Sequence, residues 1–210
     1  MGDKQILTLQ GLYFSYGEHQ VIKDFSADIS CGLTILQGDE STGKSTLLKL
    51  IAGHLSPVAG SIDYPGHFQH IGSAVSRQQF FVAGDQAEDW EQKTPSAYFE
   101  HCRSIYRGLN TRRLDALVDA FGLREHVEKN LFMLSRGSKR KVWLAAAFSA
   151  GAPVTLIDDP FIALDVQSVR TLKTLLNEAA QWTDRALITT QHVPDPDLTP
   201  TQLIDLNKVH

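Results

Sequence analysis

From Gln5 to Phe14 apolar and polar residues alternate, as they do in a strand with one buried face. Ser15-Tyr16-Gly17-Glu18 predicts a turn and Val21 to Ile29 a second strand, so the chain is expected to open with an antiparallel β-layer. The pattern then changes. Leu33-Thr34-Ile35-Leu36 is a short apolar run suited to a buried strand, and Leu47 to Ala52 is apolar at helical spacing until Gly53 stops it. Gly60 to Asp63 and Ile71 to Val75 are expected strands, and the polar, acidic residues 83–94 are expected to form a mobile surface segment.

Helical spacing returns at Pro95 to Tyr106, with Tyr98, Phe99, Cys102, Ile105 and Tyr106, and at Arg112 to Phe121, with Leu114, Leu117, Val118 and Phe121. These residues predict a helical insert with a small core of its own, and Gly122 caps its second helix. Ser135 is a good N-cap for a helix expected over Lys139 to Ala150, which Gly151-Ala152-Pro153 breaks. Val154 to Ile157 then reads as an apolar strand ending in Asp158-Asp159. An amphipathic helix over Val166 to Trp182, a strand over Ala186 to Thr190 and a last short strand over Thr201 to Leu206 complete the prediction.

Composition narrows the class. With 210 residues, 42% of them hydrophobic, the chain can build one α/β domain with a subdomain around a substantial core. The charge of −4 gives no reason to expect nucleic acid as a partner. Cys31 and Cys102 are the only cysteines and fit no metal or redox spacing, which suits a reducing cytosol. Met1-Gly2-Asp3-Lys4-Gln5 lacks the apolar stretch of a secretory signal, and Ile6 stands where a myristoylation motif wants Ser or Thr. No run reaches the roughly 18 apolar residues of a membrane span.

The candidate chemistry starts at Gly38-Asp39-Glu40-Ser41-Thr42-Gly43-Lys44-Ser45-Thr46, a phosphate-binding loop motif set between an expected strand and an expected helix. In such a loop successive backbone N–H groups and a helix N-terminus face the phosphates. Lys44 can reach the β- and γ-phosphates, and the Ser45 hydroxyl can ligate Mg²⁺. Asp39 and Glu40 would repel phosphate unless their side chains point away. Asp158, at the C-terminal end of a strand, is placed to hold Mg²⁺ directly or through water. Tyr16 is either a base-stacking aromatic or an ordinary hairpin tyrosine.

Two downstream segments make the pattern more specific. Leu134-Ser135-Arg136-Gly137-Ser138 followed by a basic helix is similar to the signature Leu-Ser-Gly-Gly-Gln of the ATP-binding cassette of ABC transporters. Leu156 to Asp165, L-I-D-D-P-F-I-A-L-D, resembles that family's Walker B strand, catalytic position and D-loop. The same phrase and the short chain are also similar to the small haem-exporter ATPases of cytochrome c maturation. The resemblance covers nearly the whole chain. It implies an α/β P-loop NTPase fold: a RecA-like parallel sheet and antiparallel β-layer over 1–78 and 151–210, with a helical subdomain inserted over 79–150.

By the same resemblance the ligands are ATP and Mg²⁺, and the partners are transmembrane permease subunits and a second cassette, alike or different. The chain would then sit on the inner face of the cell membrane. Tyr16 matches the adenine-stacking aromatic, and Gln78 or Gln79 the glutamine that touches Mg²⁺ and senses the permease. Ser135 and Gly137 match residues that clamp the γ-phosphate of ATP on the opposite subunit, and Asp165 matches the D-loop aspartate.

The departures from the family pattern are as specific as the matches. Asp159 stands where the family has a Glu general base, one methylene longer. Arg136 and Ser138 replace a Gly and the Gln of the signature. The γ-phosphate-sensing histidine is expected directly after Thr189-Thr190, but Gln191 is there and His192 follows, so either can be the switch residue. Two further readings therefore stand beside a hydrolysing transport subunit: a nucleotide-binding, weakly hydrolysing regulatory half, and a soluble cassette outside transport.

Overall fold

The computed structural model describes residues 4–64, 79–84 and 87–208. β1 (Gln5–Tyr16) and β2 (His19–Ser30) form an antiparallel hairpin that keeps Leu7 opposite Ile29 and Tyr16 opposite His19. Their alternation buries Leu7, Leu9, Leu12, Phe14, Ile22, Phe25 and Ile29 and leaves the other face in solvent. Both strands run longer than the alternation alone predicts. After β3 (Gly32–Gln37) and α1 (Lys44–Ile51), β4 (Ala59–Asp63) returns to pair antiparallel with β1 and completes a three-stranded layer ordered β2-β1-β4.

β3 is buried from Gly32 to Leu36, as expected of a strand covered on both faces. It lies in a second sheet with β5 (Phe80–Val82), β6 (Val154–Ile157), β7 (Ala186–Gln191) and β8 (Gln202–Asp205), in the order β5-β6-β7-β3-β8. β6, β7, β3 and β8 run parallel. Register matters here: Gln37 pairs with Gln191, and Ile157 pairs with Thr189. β3 and β7 therefore end level, β6 ends two residues earlier, and the chain leaves all three at the same C-terminal end of the parallel strands. The expected strand over 71–75 lies outside the described residues.

The chain divides into two compact units. The first holds residues 1–80, 153–160 and 176–210, and the second holds 81–152 and 161–175. In the second, α2 (Pro95–Ile105), α3 (Thr111–Ala120) and α4 (Arg136–Ser149) are each started by a side-chain cap. Thr94, Asn110 and Ser135 accept N–H bonds from Ala97, Arg113 and Ser138. Ser135 starts α4 three residues before the helix expected from spacing, because its cap makes Arg136-Gly137-Ser138 the first turn. α5 (Val166–Ala179) ends three residues short of the predicted helix and runs from the second unit into the first.

The core of the second unit is aromatic: Tyr98 meets Trp143 edge-on at 4.6 Å and Trp90 at 5.1 Å. Trp90 belongs to the acidic segment that polarity alone reads as mobile surface. Residues 87–90 lie at the surface as a 3₁₀ turn, and Glu91 pairs with Lys139 at 2.6 Å. One aromatic and one ion pair thus hold a segment that composition alone leaves loose.

Candidate nucleotide site

The loop between β3 and α1 folds around its own lysine. Lys44 is buried, and its ammonium donates to the carbonyls of Gly38 at 2.7 Å and Asp39 at 2.6 Å. Gly43 has φ +91, and a Cβ there would lie 2.8 Å from Ile22 Cδ1. A Cβ on Gly38 would lie 2.5 Å from Thr42 Oγ1, whose hydroxyl donates to the Asp39 carbonyl. At both positions a Cβ would collide with packed protein atoms, so the tight turn of this loop requires glycine there. Ser41 adopts φ 64, inside the same turn. Asp39, Glu40 and Ser45 are exposed, whereas Thr46, in the first turn of α1, is buried.

These strand ends bring three more groups to this end of the sheet. Asp158 and Asp159 follow β6 and are half-buried, and His192 is the first residue beyond β7. His192 Nδ1 lies 3.4 Å from Lys44 Nζ, and its Nε2 lies 3.5 Å from Asp159 Oδ1. One imidazole therefore bridges the loop lysine and the second aspartate. Gln191 is still in the strand and buried, and its carbonyl accepts the Gly38 N–H at 3.3 Å. Asp159 adopts φ 42, a left-handed conformation that costs a non-glycine residue about 1–2 kcal/mol. The Thr190 hydroxyl offsets that cost by accepting the Asp159 N–H at 2.8 Å while donating to Asp158 Oδ1 at 2.8 Å.

Tyr16 ends β1, about half exposed, with its ring edge-on to Phe14 at 4.9 Å. The Gln79 carbonyl accepts the Val154 N–H at 3.0 Å, and Gln78 lies outside the described residues. In the second unit Ser135 caps α4 and Gly137 lies in its first turn, where a Cβ would come within 2.5 Å of the Ala163 carbonyl oxygen. Asp165 takes the Lys141 ammonium at 2.5 Å and the Ser168 N–H at 2.9 Å. The Lys141 contact first, and then the Ser168 amide, hold its carboxyl well below the usual carboxylate range. Ser135, Gly137 and Asp165 thus form one set within the second unit. Gly38 to Thr46, Asp158, Asp159 and His192 form another within the first.

Sequence reasoning missed Thr190, Lys141 and Asn207. Thr190 follows Thr189 at the end of an apolar run, and nothing in the sequence distinguishes the two threonines. Lys141 is one of several basic residues on α4, and nothing local distinguishes it from Lys139 or Arg140. Asn207 Oδ1 accepts the Asp39 N–H at 3.1 Å from near the other end of the chain, a contact with no sequence signal.

A sequence model of the family described as ABC transporter matches residues 22–162. The chain is 29% identical to the taurine import ATP-binding protein TauB of Roseobacter denitrificans, over 84% of its own length and 66% of that protein's. It is 25% identical to the cytochrome c biogenesis ATP-binding export protein CcmA of Haemophilus influenzae, over 97% of both chains. It thus spans just under two thirds of the first relative and nearly all of the second. A solved structure described as the ATP binding subunit of an ABC transporter superposes with a TM-score of 0.77 at 26% identity, covering 90% of this chain and 80% of that one. No helix among the described residues is long and apolar enough to cross a membrane.

Proposed function

The chain belongs to the ABC transporter family, and from that premise we propose that it is the subunit that binds and hydrolyses ATP to power separate membrane subunits. The observation that carries this reading is the Lys44–His192–Asp159 chain of contacts at the C-terminal end of the parallel strands. A cation, an imidazole and a carboxylate converging on a glycine loop suit recognition of a terminal phosphate and orientation of water beside it. The residues fit the implied ligand: the Lys44 ammonium rests on two loop carbonyls it can exchange for phosphate oxygens, in a glycine turn that opens onto the start of α1.

In this reading Lys44 exchanges the Gly38 and Asp39 carbonyls for β- and γ-phosphate oxygens. The backbone N–H groups of Glu40, Ser41, Thr42, Gly43 and Ser45 and the Thr46 side chain surround the remaining oxygens, joined by the Asp39 N–H where it leaves Asn207 Oδ1. Ser45 and Asp158 would hold Mg²⁺, with Gln78 or Gln79 as a further candidate ligand, and the ion would neutralise charge developing on the phosphates. Asp159 orients the attacking water, His192 senses the γ-phosphate, and Tyr16 stacks on the base. Ser135, Gly137 and Asp165 would serve a second cassette's ATP, with both cassettes docked on permease subunits at the inner face of the membrane.

One observation favours a second reading, a nucleotide-binding half with weak turnover. Asp159 is a methylene shorter than the glutamate the family pattern expects, and misplacing a water by about 1 Å can cost on the order of 10²-fold in rate. ATP turnover of the purified chain, of Lys44→Ala and of Asp159→Glu tests both readings. Wild-type turnover abolished by Lys44→Ala supports hydrolysis. Negligible wild-type turnover that rises with Asp159→Glu supports the weak half. Failure of the wild-type chain to bind ATP with Mg²⁺ rejects both.

A further inference from the structure

We propose that Thr190 is the positioning residue that holds Asp158 and Asp159 as a unit, so that the metal carboxylate and the water-orienting carboxylate keep a fixed relation. The inference rests on the reading of this end of the sheet as a Mg²⁺–ATP site. Thr190 is fully buried, and a hydroxyl has one proton and two acceptor lone pairs. The proton goes to Asp158 Oδ1 at 2.8 Å, and a lone pair takes the Asp159 N–H at 2.8 Å. One side chain thereby fixes the rotation of the first carboxylate and the backbone of the second.

The second bond falls on a residue with φ 42. A left-handed aspartate directly after a strand turns the chain sharply, and the Thr190 bond holds that turn. Without it the Asp159 backbone can relax toward an ordinary conformation, swinging its carboxylate away from His192 Nε2, now 3.5 Å distant. The neighbouring Thr189 is an internal comparison. It is equally buried, on the same strand, and its hydroxyl donates only to the Ile157 carbonyl at 2.8 Å. Thr189 supports the sheet, whereas Thr190 supports the carboxylates.

Groups that orient a metal ligand from behind typically contribute about 10–100-fold to metal affinity or activity. The test compares wild type, Thr190→Val, Thr190→Ser and Thr189→Val, with ATP binding measured by calorimetry in EDTA and across a MgCl₂ series. Exchange of the Asp159 amide is followed by NMR without nucleotide. We expect Thr190→Val to bind ATP normally in EDTA, to need at least about tenfold more Mg²⁺ for half of the metal-dependent tightening, and to exchange the Asp159 amide faster. Thr190→Ser should restore both, and Thr189→Val should change neither.

A wild-type Mg²⁺ response and amide exchange in Thr190→Val overturn the proposal, as does an equal loss in Thr189→Val. If Thr190→Val does not fold, Thr190→Ala is judged by the same criteria. A wild-type chain that binds no ATP rejects the nucleotide reading. The amide exchange then still decides whether Thr190 holds Asp159.

Discussion

Lys141 Nζ lies 2.5 Å from Asp165 Oδ2, joining the second turn of α4 to the residue that caps α5. The same two segments meet again where Gly137 lies against the Ala163 carbonyl, too close for a Cβ. The loop 161–165 is thus held to the start of α4 by one ion pair and one steric fit, and Ala163, at φ 61, is bent to make that fit. The steric contact should dominate. The ion pair has one partner more than half exposed, and such pairs contribute about 0–1 kcal/mol. Overpacking against fixed backbone typically costs about 1–3 kcal/mol. Urea unfolding should therefore show Gly137→Ala less stable than Lys141→Met; the reverse order would contradict the steric account.

The ion pair also has a predicted pH window. The Asp165 carboxyl is held below its ordinary value of 3.8, first by Lys141 and then by the Ser168 amide. A carboxyl depressed in the folded state contributes stability above its unfolded value and loses it as pH falls through the folded one. The stability difference between wild type and Lys141→Met should be constant from pH 7 to 5 and shrink below about pH 4. Asp165→Asn should remove that acid dependence and, keeping an acceptor for the Ser168 N–H, retain the cap.

Asp159 gives a prediction about strain separable from chemistry. Asp159→Ala and Asp159→Gly both delete the carboxylate, so both should lose hydrolysis where wild type has it. At φ 42 alanine carries a left-handed penalty that glycine escapes, so the glycine variant should be the more stable by about 1 kcal/mol in urea unfolding. Equal stabilities would mean that the left-handed turn relaxes once the side chain is gone.

Much of this arrangement was legible in the chain, for physical reasons that differ by element. The β1–β2 hairpin followed from alternation, and β3 and β6 from apolar runs too short to be helices. The tight loop between β3 and α1 followed from its glycine spacing. The start of α4 was misjudged because spacing was weighed above the Ser135 cap, which decides where a first turn can begin. Polarity reads residues 83–94 as surface, and the described ones are unburied; what polarity could not show is that Trp90 in that segment packs against Tyr98 and His101. Where Gln191 and His192 lie could not be read from spacing, since it depends on β7 pairing through Gln191 with Gln37. That pairing keeps Gln191 in the sheet and makes His192 the first residue free to reach Lys44 and Asp159.

Cys102 offers a probe of the second unit that requires no nucleotide. Its side chain is buried on α2 near Tyr98, and burial pushes its thiol from 9.0 up to about 12. A thiol held above its unfolded value stabilises the fold below about pH 9 and loses that contribution as pH rises toward 12, at about 1.4 kcal/mol per pH unit. Cys102→Ala should therefore unfold with less pH dependence than wild type between pH 9 and 11, despite being less stable at pH 7 from the cavity it leaves. The reacting species is the thiolate, so maleimide labelling of native protein at pH 8 should leave Cys102 unmodified while denaturant makes it reactive within minutes. Prompt labelling of Cys102 in the native protein would mean that α2 opens in solution, and the aromatic core around Tyr98 and Trp143 would then be far less stable than its packing implies.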